Sequence, residues 1–166
     1  MSEELRRKVV IGFSGGMDST TLLAYYLQGG LEVHCCVFTY GSKHNVYEME
    51  AVNRILMYYE KLMPDKIRGL KILHFDLREI FRGFKSNLLS SGGAIPEGHY
   101  ESKEMEATKV PGRNLIMASI MAGVAENIGA SFISLGVHAG DRTIYPDCRE
   151  TFIIALNKTL FYSSDG

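Results

Sequence analysis

Apolar and polar positions along this chain follow two alternating periods. Residues 9–13 form a short, β-branched apolar run, as expected of a buried parallel strand. Runs over residues 31–40, 70–77 and 131–137 predict three more strands, the first of them rich in valine, cysteine and aromatics. Between the runs the spacing turns helical. It predicts helices over residues 20–27, 46–62, 111–127 and 148–160; in the second, Val46, Met49, Val52, Ile55, Leu56 and Tyr59 recur at helical steps. Gly29-Gly30, Pro64 and Gly129 supply the stops, and Pro111 suits a first turn. Strand and helix alternate throughout, so the fold class is α/β. The expected architecture is a doubly wound, mostly parallel sheet with helices on both faces.

Residues 78–109 break the rhythm. Ser90-Ser91-Gly92-Gly93, Pro96 and Gly98 predict a helical turn and then a long mobile loop over 91–109; a plain disordered insertion fits equally well. Residues 138–147 read as a second loop. A length of 166 residues suits a single domain over 1–166.

Composition narrows the function classes. Lysine plus arginine numbers 18 and aspartate plus glutamate 19, a net charge of −1, which gives no general pull toward nucleic acid or an anionic membrane. Arg6, Arg7 and Lys8 form the one tight basic cluster and read as a solvated edge. Cys35, Cys36 and Cys148 are an odd set without C-x-x-C spacing, so neither a disulfide framework nor a tetrahedral zinc set is expected, and the chemistry suits the cytoplasm. No signal peptide or membrane-length apolar run is legible.

The first strand runs into Phe13-Ser14-Gly15-Gly16-Met17-Asp18-Ser19-Thr20-Thr21. Glycines after a buried strand let backbone N–H groups approach a ligand closely, and the following helix turns its positive end toward the same point. Ser14, Ser19, Thr20 and Thr21 add hydroxyl donors, which makes an anion cradle. It lacks the lysine of a Walker A loop and the G-x-G-x-x-G spacing of a dinucleotide fold. A plain turn with Ser14 or Asp18 as helix cap is the competing reading.

The string S-G-G-x-D-S between strand and helix resembles the PP-loop of the ATP pyrophosphatases, which cleave ATP between the α- and β-phosphates. Four further strings extend the resemblance: Tyr40-Gly41-Ser42-Lys43-His44, Val110-Pro111-Gly112-Arg113-Asn114, Gly136-Val137-His138-Ala139-Gly140-Asp141, and Tyr145-Pro146-Asp147-Cys148-Arg149 with Phe152. In that order, over nearly the whole chain, they resemble the 7-cyano-7-deazaguanine synthase family, which converts 7-carboxy-7-deazaguanine and ammonia to the nitrile at the expense of ATP. The resemblance implies ATP and Mg2+ as cofactors, with Asp18, Ser19 and Arg113 in catalytic roles. It places the nucleotide along Phe13, Ser14, Gly15, Gly16, Met17, Asp18, Ser19, Thr20, Thr21, Leu22 and Leu23. It places the deazapurine acid against Tyr40, His44, Asn114, Gly136, Asp141, Tyr145, Asp147 and Arg149.

Several of these positions carry a second reading. Asp18 would cap the helix or orient magnesium. Arg113 would clamp a phosphate or carboxylate, or pair with Glu106. Asp141 or Asp147 would accept the N1–H and 2-amino hydrogens of the base, and Asp147 equally suits the N-cap of the last helix. Asn114 would cap its own helix or contact ligand, and Arg149, in a helix first turn, calls for an anionic partner. His44 would shuttle a proton for ammonia or sit on the surface. Tyr40 and Cys148 read as packed side chains. His34, His74, Cys35, Cys36, Tyr25, Tyr26, Tyr58 and Tyr59 read as core.

The family carries four zinc-binding cysteines beyond the region corresponding to this chain. No cysteine follows Cys148, so zinc is not carried over. A shortened homologue, a piece or half of a split protein, and a PP-loop protein with another product all remain open. The family's homodimer, or a complementing chain, is the implied partner; no membrane or nucleic-acid partner is expected. The competing functions are a ligase that stops at the amide, a tRNA-thiolation or amidotransferase-fed relative, and a nucleotide-binding subunit without chemistry of its own.

Overall fold

The computed structural model of the chain describes residues 7–67, 69–96, 103–137 and 140–164. Four parallel strands, β1 (Lys8–Gly12), β2 (Glu32–Thr39), β3 (Leu70–Asp76) and β4 (Phe132–Ser134), lie in the order β3-β2-β1-β4. Val9 of β1 stands opposite Val33 on one side and Phe132 on the other. The chain steps from β1 through β2 to β3 on one side and then crosses back to β4 on the other side of β1, so the crevice past the carboxyl end of β1 is the switch point where such folds bind ligands.

The helices are α1 (Met17–Gln28), α2 (Asn45–Leu62), the short α3 (Pro64–Ile67), α4 (Arg113–Ile128) and α5 (Glu150–Ser163). The two-residue period of β1 sorts them. Val9 and Ile11 point into a core with Leu23 and Leu27 of α1 and Val52 and Tyr59 of α2. Val10 points the other way, against Met121 and Ala125 of α4. Both faces are therefore covered, as a parallel sheet requires.

Several boundaries differ from the expected ones. α1 begins at Met17 rather than at residue 20, because the polar Asp18 and Ser19 fit a helix first turn: the Ser19 hydroxyl donates to the Gly16 carbonyl at 3.1 Å. Gly112 adopts φ 69°, a left-handed turn that keeps Pro111 out of α4, so the helix starts at Arg113. α2 ends before Pro64 as expected, and Pro64 then opens the short α3. β4 stops at Ser134. α5 begins at Glu150, because Pro146–Cys148 winds a separate 3-10 turn and Arg149 is extended.

The segment expected as a mobile loop is tied down where it is described. Lys43 donates its ammonium protons to the carbonyls of Asn87, Gly92 and Gly93, and the Asn87 amide donates to the Ala107 carbonyl at 2.7 Å. Lys103–Thr108 forms a 3-10 helix, and the Thr108 and Tyr145 hydroxyls share a hydrogen bond of 2.8 Å. The part of that loop over 97–102 lies outside the described residues.

Three core expectations are also corrected. His74 is exposed because β3 is an edge strand, and Tyr25 and Tyr58 turn to solvent while their neighbours Tyr26 and Tyr59 pack inward. His34, Cys35 and Cys36 are buried as expected. Burial pushes the Cys36 thiol up to about 12 and raises Cys35 as well, so neither is a reactive thiolate. Lys8 is not simply solvated: its ammonium donates to the Ile128 carbonyl at 2.9 Å, where α4 exposes its negative end. Among the described residues, no helix is long and apolar enough to cross a membrane.

Candidate active site

The chain leaves β1 through Phe13, whose amide still donates to the Cys36 carbonyl at 2.9 Å. Gly15 then takes φ 73°, and a Cβ there would sit 2.7 Å from the Val52 amide nitrogen of α2. The turn is thus pressed against the helix behind it. Its hydroxyls knit the loop: the Ser14 Oγ accepts from the Gly16 amide at 3.3 Å and lies 3.4 Å from the Ser19 Oγ. Gly16 occupies the N-cap with no side-chain hydrogen bond, and Asp18 is the acid of the first turn rather than a cap. The first-turn amides of α1 therefore have no side-chain cap.

Gly136, just past β4, faces those amides. A Cβ at this position would lie 3.2 Å from the Ser19 nitrogen. A side chain there would fill the space over the helix start, so the glycine keeps the amides open to a ligand. An anion the size of a phosphate group fits this cradle of glycines, amides and hydroxyls.

The cradle forms one wall of a cleft of about 400 Å³. From the loop, Phe13, Ser14, Gly16, Met17, Asp18 and Ser19 line it. The remaining loop positions expected at the nucleotide do not. Leu23 is fully buried in the core, and the Thr21 hydroxyl donates to the Met17 carbonyl of its own helix at 2.9 Å. Thr20 has its hydroxyl buried without a partner among the described residues. Gly15 and Leu22 are part-buried outside the cleft lining.

The opposite wall gathers Tyr40 and His44 from the β2–α2 connection, Arg113 and Asn114 from the start of α4, and Tyr145 and Cys148. Arg113 lies over the Tyr40 ring at 5.9 Å, donates to the Tyr40 hydroxyl at 3.4 Å and reaches the Asn114 Oδ1 at 3.4 Å. No carboxylate among the described residues comes within 4.0 Å of it, and Glu106 pairs with Lys109 instead. Burial opposes the Arg113 charge, but the Tyr40 hydroxyl with Asp147 and Cys148 outweighs it, so the pKa is raised. The cleft thus contains a committed cation whose own contacts are neutral and long.

Asp147 and Arg149 are placed elsewhere. The Asp147 carboxylate accepts from the Asn114 amide at 3.3 Å, and the Asn114 side chain donates back to the Asp147 carbonyl at 3.3 Å. Asp147 therefore caps α4 from a distance rather than α5 next door, and Asn114 receives that cap instead of providing it. Asp147→Ala is expected to cost about 1 kcal/mol of stability, read from the urea midpoint. Arg149 is exposed at the N-cap of α5, outside its first turn, and donates to the Arg142 carbonyl at 3.0 Å. Asp141 opens a short 3-10 turn; its side chain, like His138 and Ala139, lies outside the described residues.

Of the cleft residues that escaped the sequence reading, Asn45 and Glu48 are polar. The Asn45 Oδ1 accepts from the Tyr40 and Ser42 amides at 3.1 and 2.9 Å, which obliges its Nδ2 to donate; it does so to Glu48 Oε2 at 2.7 Å. Their one sequence signal is position, immediately after the Y-G-x-x-H string. Burial pushes the Glu48 carboxyl pKa up, against the opposing pull of Asn45, Arg113 and His44. A folded-state pKa above the unfolded one lowers stability as pH rises through that window. Glu48→Gln is therefore expected to be more stable than the parent at pH 8 and equal to it below about pH 4, where the unfolded carboxyl is protonated. Urea melts of both proteins at the two pH values check this.

The family described as queuosine biosynthesis protein QueC matches residues 8–165. The chain belongs to that family. QueC relatives include a 7-cyano-7-deazaguanine synthase of Archaeoglobus fulgidus, 37% identical over 95% of this chain and 62% of its own length. Another, from Marinobacter nauticus, is 39% identical over 87% of this chain and 61% of its own. The chain thus spans a little under two thirds of these relatives. A solved structure of a predicted subunit of tRNA methyltransferase from Methanocaldococcus jannaschii superposes with a TM-score of 0.50 at 19% identity, over 93% of this chain and 64% of that one, and shares the fold alone. Among the described residues, no three His, Cys, Asp or Glu side chains gather as a metal site.

Proposed function

We propose that this QueC-family chain is an ATP-dependent ligase that converts 7-carboxy-7-deazaguanine and ammonia to 7-cyano-7-deazaguanine. The observation that carries the reading is the cleft itself, where an uncapped helix start and Arg113, which has no carboxylate partner among the described residues, face one cavity. Relatives bearing that synthase name over most of this chain support the choice of substrate.

A carboxylate is a poor electrophile at neutral pH. ATP supplies the activation: the substrate carboxylate displaces pyrophosphate at the α-phosphorus, and ammonia then displaces AMP to leave the amide. A second activation, of the amide oxygen, followed by loss of AMP gives the nitrile. The protein's share is positioning and charge. Ser14, Gly16 and Ser19 would hold the departing pyrophosphate by amides and hydroxyls, and Arg113 would stabilise the charge that builds at phosphorus or on the substrate carboxylate. Magnesium would arrive with the phosphates, with Asp18 as its protein contact. The reading places the enzyme in the cytoplasm, as a homodimer or with a complementing chain.

The test is incubation with ATP, magnesium, ammonium and the deazapurine acid. AMP and pyrophosphate are expected only when the acid is present, with the nitrile found by mass spectrometry. Saturable ATP binding with no turnover would replace this reading with that of a nucleotide-binding subunit.

A further inference from the structure

Asp18 and Glu48 are the carboxylates that line the cleft among the described residues, and their surroundings differ. Asp18 is exposed at the start of α1. Glu48 is half-buried on the first turn of α2, in a cleft whose lining includes the apolar Val37, Met49 and Leu88. Its hydrogen bonding is one-sided. Asn45, locked by two backbone donors, holds Oε2, and among the described residues no hydrogen bond engages Oε1.

We infer that Glu48 binds the ammonium ion in this cleft and accepts its proton. The inference rests on the ligase reading above and assigns the nitrogen side of that reaction. Ammonium is the solution form at neutral pH and has no lone pair to attack with. A carboxylate oxygen in a half-buried site attracts the cation. One proton passes from nitrogen to Oε1, giving ammonia and a neutral carboxyl. The nitrogen lone pair then forms the C–N bond, the C–O bond to AMP breaks, and AMP departs with the electron pair. As the amide forms, the second proton passes from nitrogen to the phosphate of the departing AMP. Burial already favours the protonated carboxyl, against Asn45, Arg113 and His44, and so raises its basicity. Arg113 and His44 act on Glu48 from α4 and the α2 N-cap, and Asp18, Cys148, Tyr40 and Tyr145 are the other titratable side chains lining the cleft among the described residues.

Glu48→Gln tests this, since a glutamine carbonyl still accepts from Asn45 and the fold is retained. Three rates are compared with the parent: acid-dependent exchange of labelled pyrophosphate into ATP, amide formation from ammonium, and hydroxamate formation from hydroxylamine. Hydroxylamine is largely a free base at neutral pH and needs no proton acceptor before attack. The expected result is exchange within a few-fold of the parent, a loss of about 100-fold or more with ammonium, and near-parental rates with hydroxylamine. Parental rates with ammonium would overturn the proposal, as would equal losses with both nucleophiles. Loss of exchange in the variant would overturn it too, by moving Glu48 to the activation step. If the parent itself shows no acid-dependent exchange, the ligase reading falls, and this one with it.

Discussion

Arg113→Ala is expected to lower acid-dependent pyrophosphate release by about 100- to 1,000-fold, the loss typical of removing one pre-positioned donor to developing charge. The structural ground is the state of the guanidinium. It is sheltered at the start of α4, stacked on Tyr40, and held by hydrogen bonds of 3.4 Å to neutral groups. A cation kept in such a place with no carboxylate partner among the described residues is available to an anionic ligand. Because its protein contacts are long, the fold should lose no more than about 1 kcal/mol with it. Arg113→Lys keeps the charge but not the fork, and an intermediate rate is expected. Steady-state release with saturating ATP, beside a urea melt, separates the two effects. A parental rate in the alanine variant would remove Arg113 from the site.

Gly15→Ala is expected to cost about 2–4 kcal/mol of stability. Two penalties add. The backbone there sits at φ 73°, which costs an L-residue about 1–2 kcal/mol. The new Cβ would also approach the Val52 nitrogen at 2.7 Å and the Ala51 Cβ at 2.8 Å, and neither yields without shifting α2. Moving α2 disturbs Asn45 and Glu48 at its start, so ATP binding should weaken together with the melting midpoint. Gly16→Ala is the control. Its φ is −71°, and the nearest atom to an added Cβ is the Ser14 Oγ at 3.3 Å, so its stability should change by less than about 1 kcal/mol. If Gly15→Ala melts like Gly16→Ala, the packing of the loop against α2 is wrong.

Much of this was legible in the residues. The strand at Val9–Val10–Ile11 is apolar at every position because both its faces are covered, and the glycine turn after it permits close backbone approach. The S-G-G-x-D-S string marks the wall of the crevice, although a plain capped turn would carry similar residues. The Y-G-x-x-H and V-P-G-R-N strings supplied Tyr40, His44, Arg113 and Asn114, all of which line that crevice. These readings depend on local chemistry, which a linear string records.

Others depended on which surfaces meet, and a string does not record that. Asp147 stands beside the start of the last helix in sequence, yet its carboxylate serves the Asn114 amide of α4, because the turn at Pro146–Cys148 folds it back there. Thr21 and Leu23 follow the loop directly, but the helical turn of 100° per residue carries them away from the cleft and into helix and core. Glu48 has no sequence signal beyond its place after the Y-G-x-x-H string. Its burial beside Asn45 and Arg113 follows from α2 and α4 converging on the same end of the sheet. Sequence alone determined the order of elements and the phosphate-type loop, since both follow from residue type and spacing. The composition of the far wall, and which acid sits half-buried in it, was decided only when tertiary packing brought distant helix ends within hydrogen-bond reach.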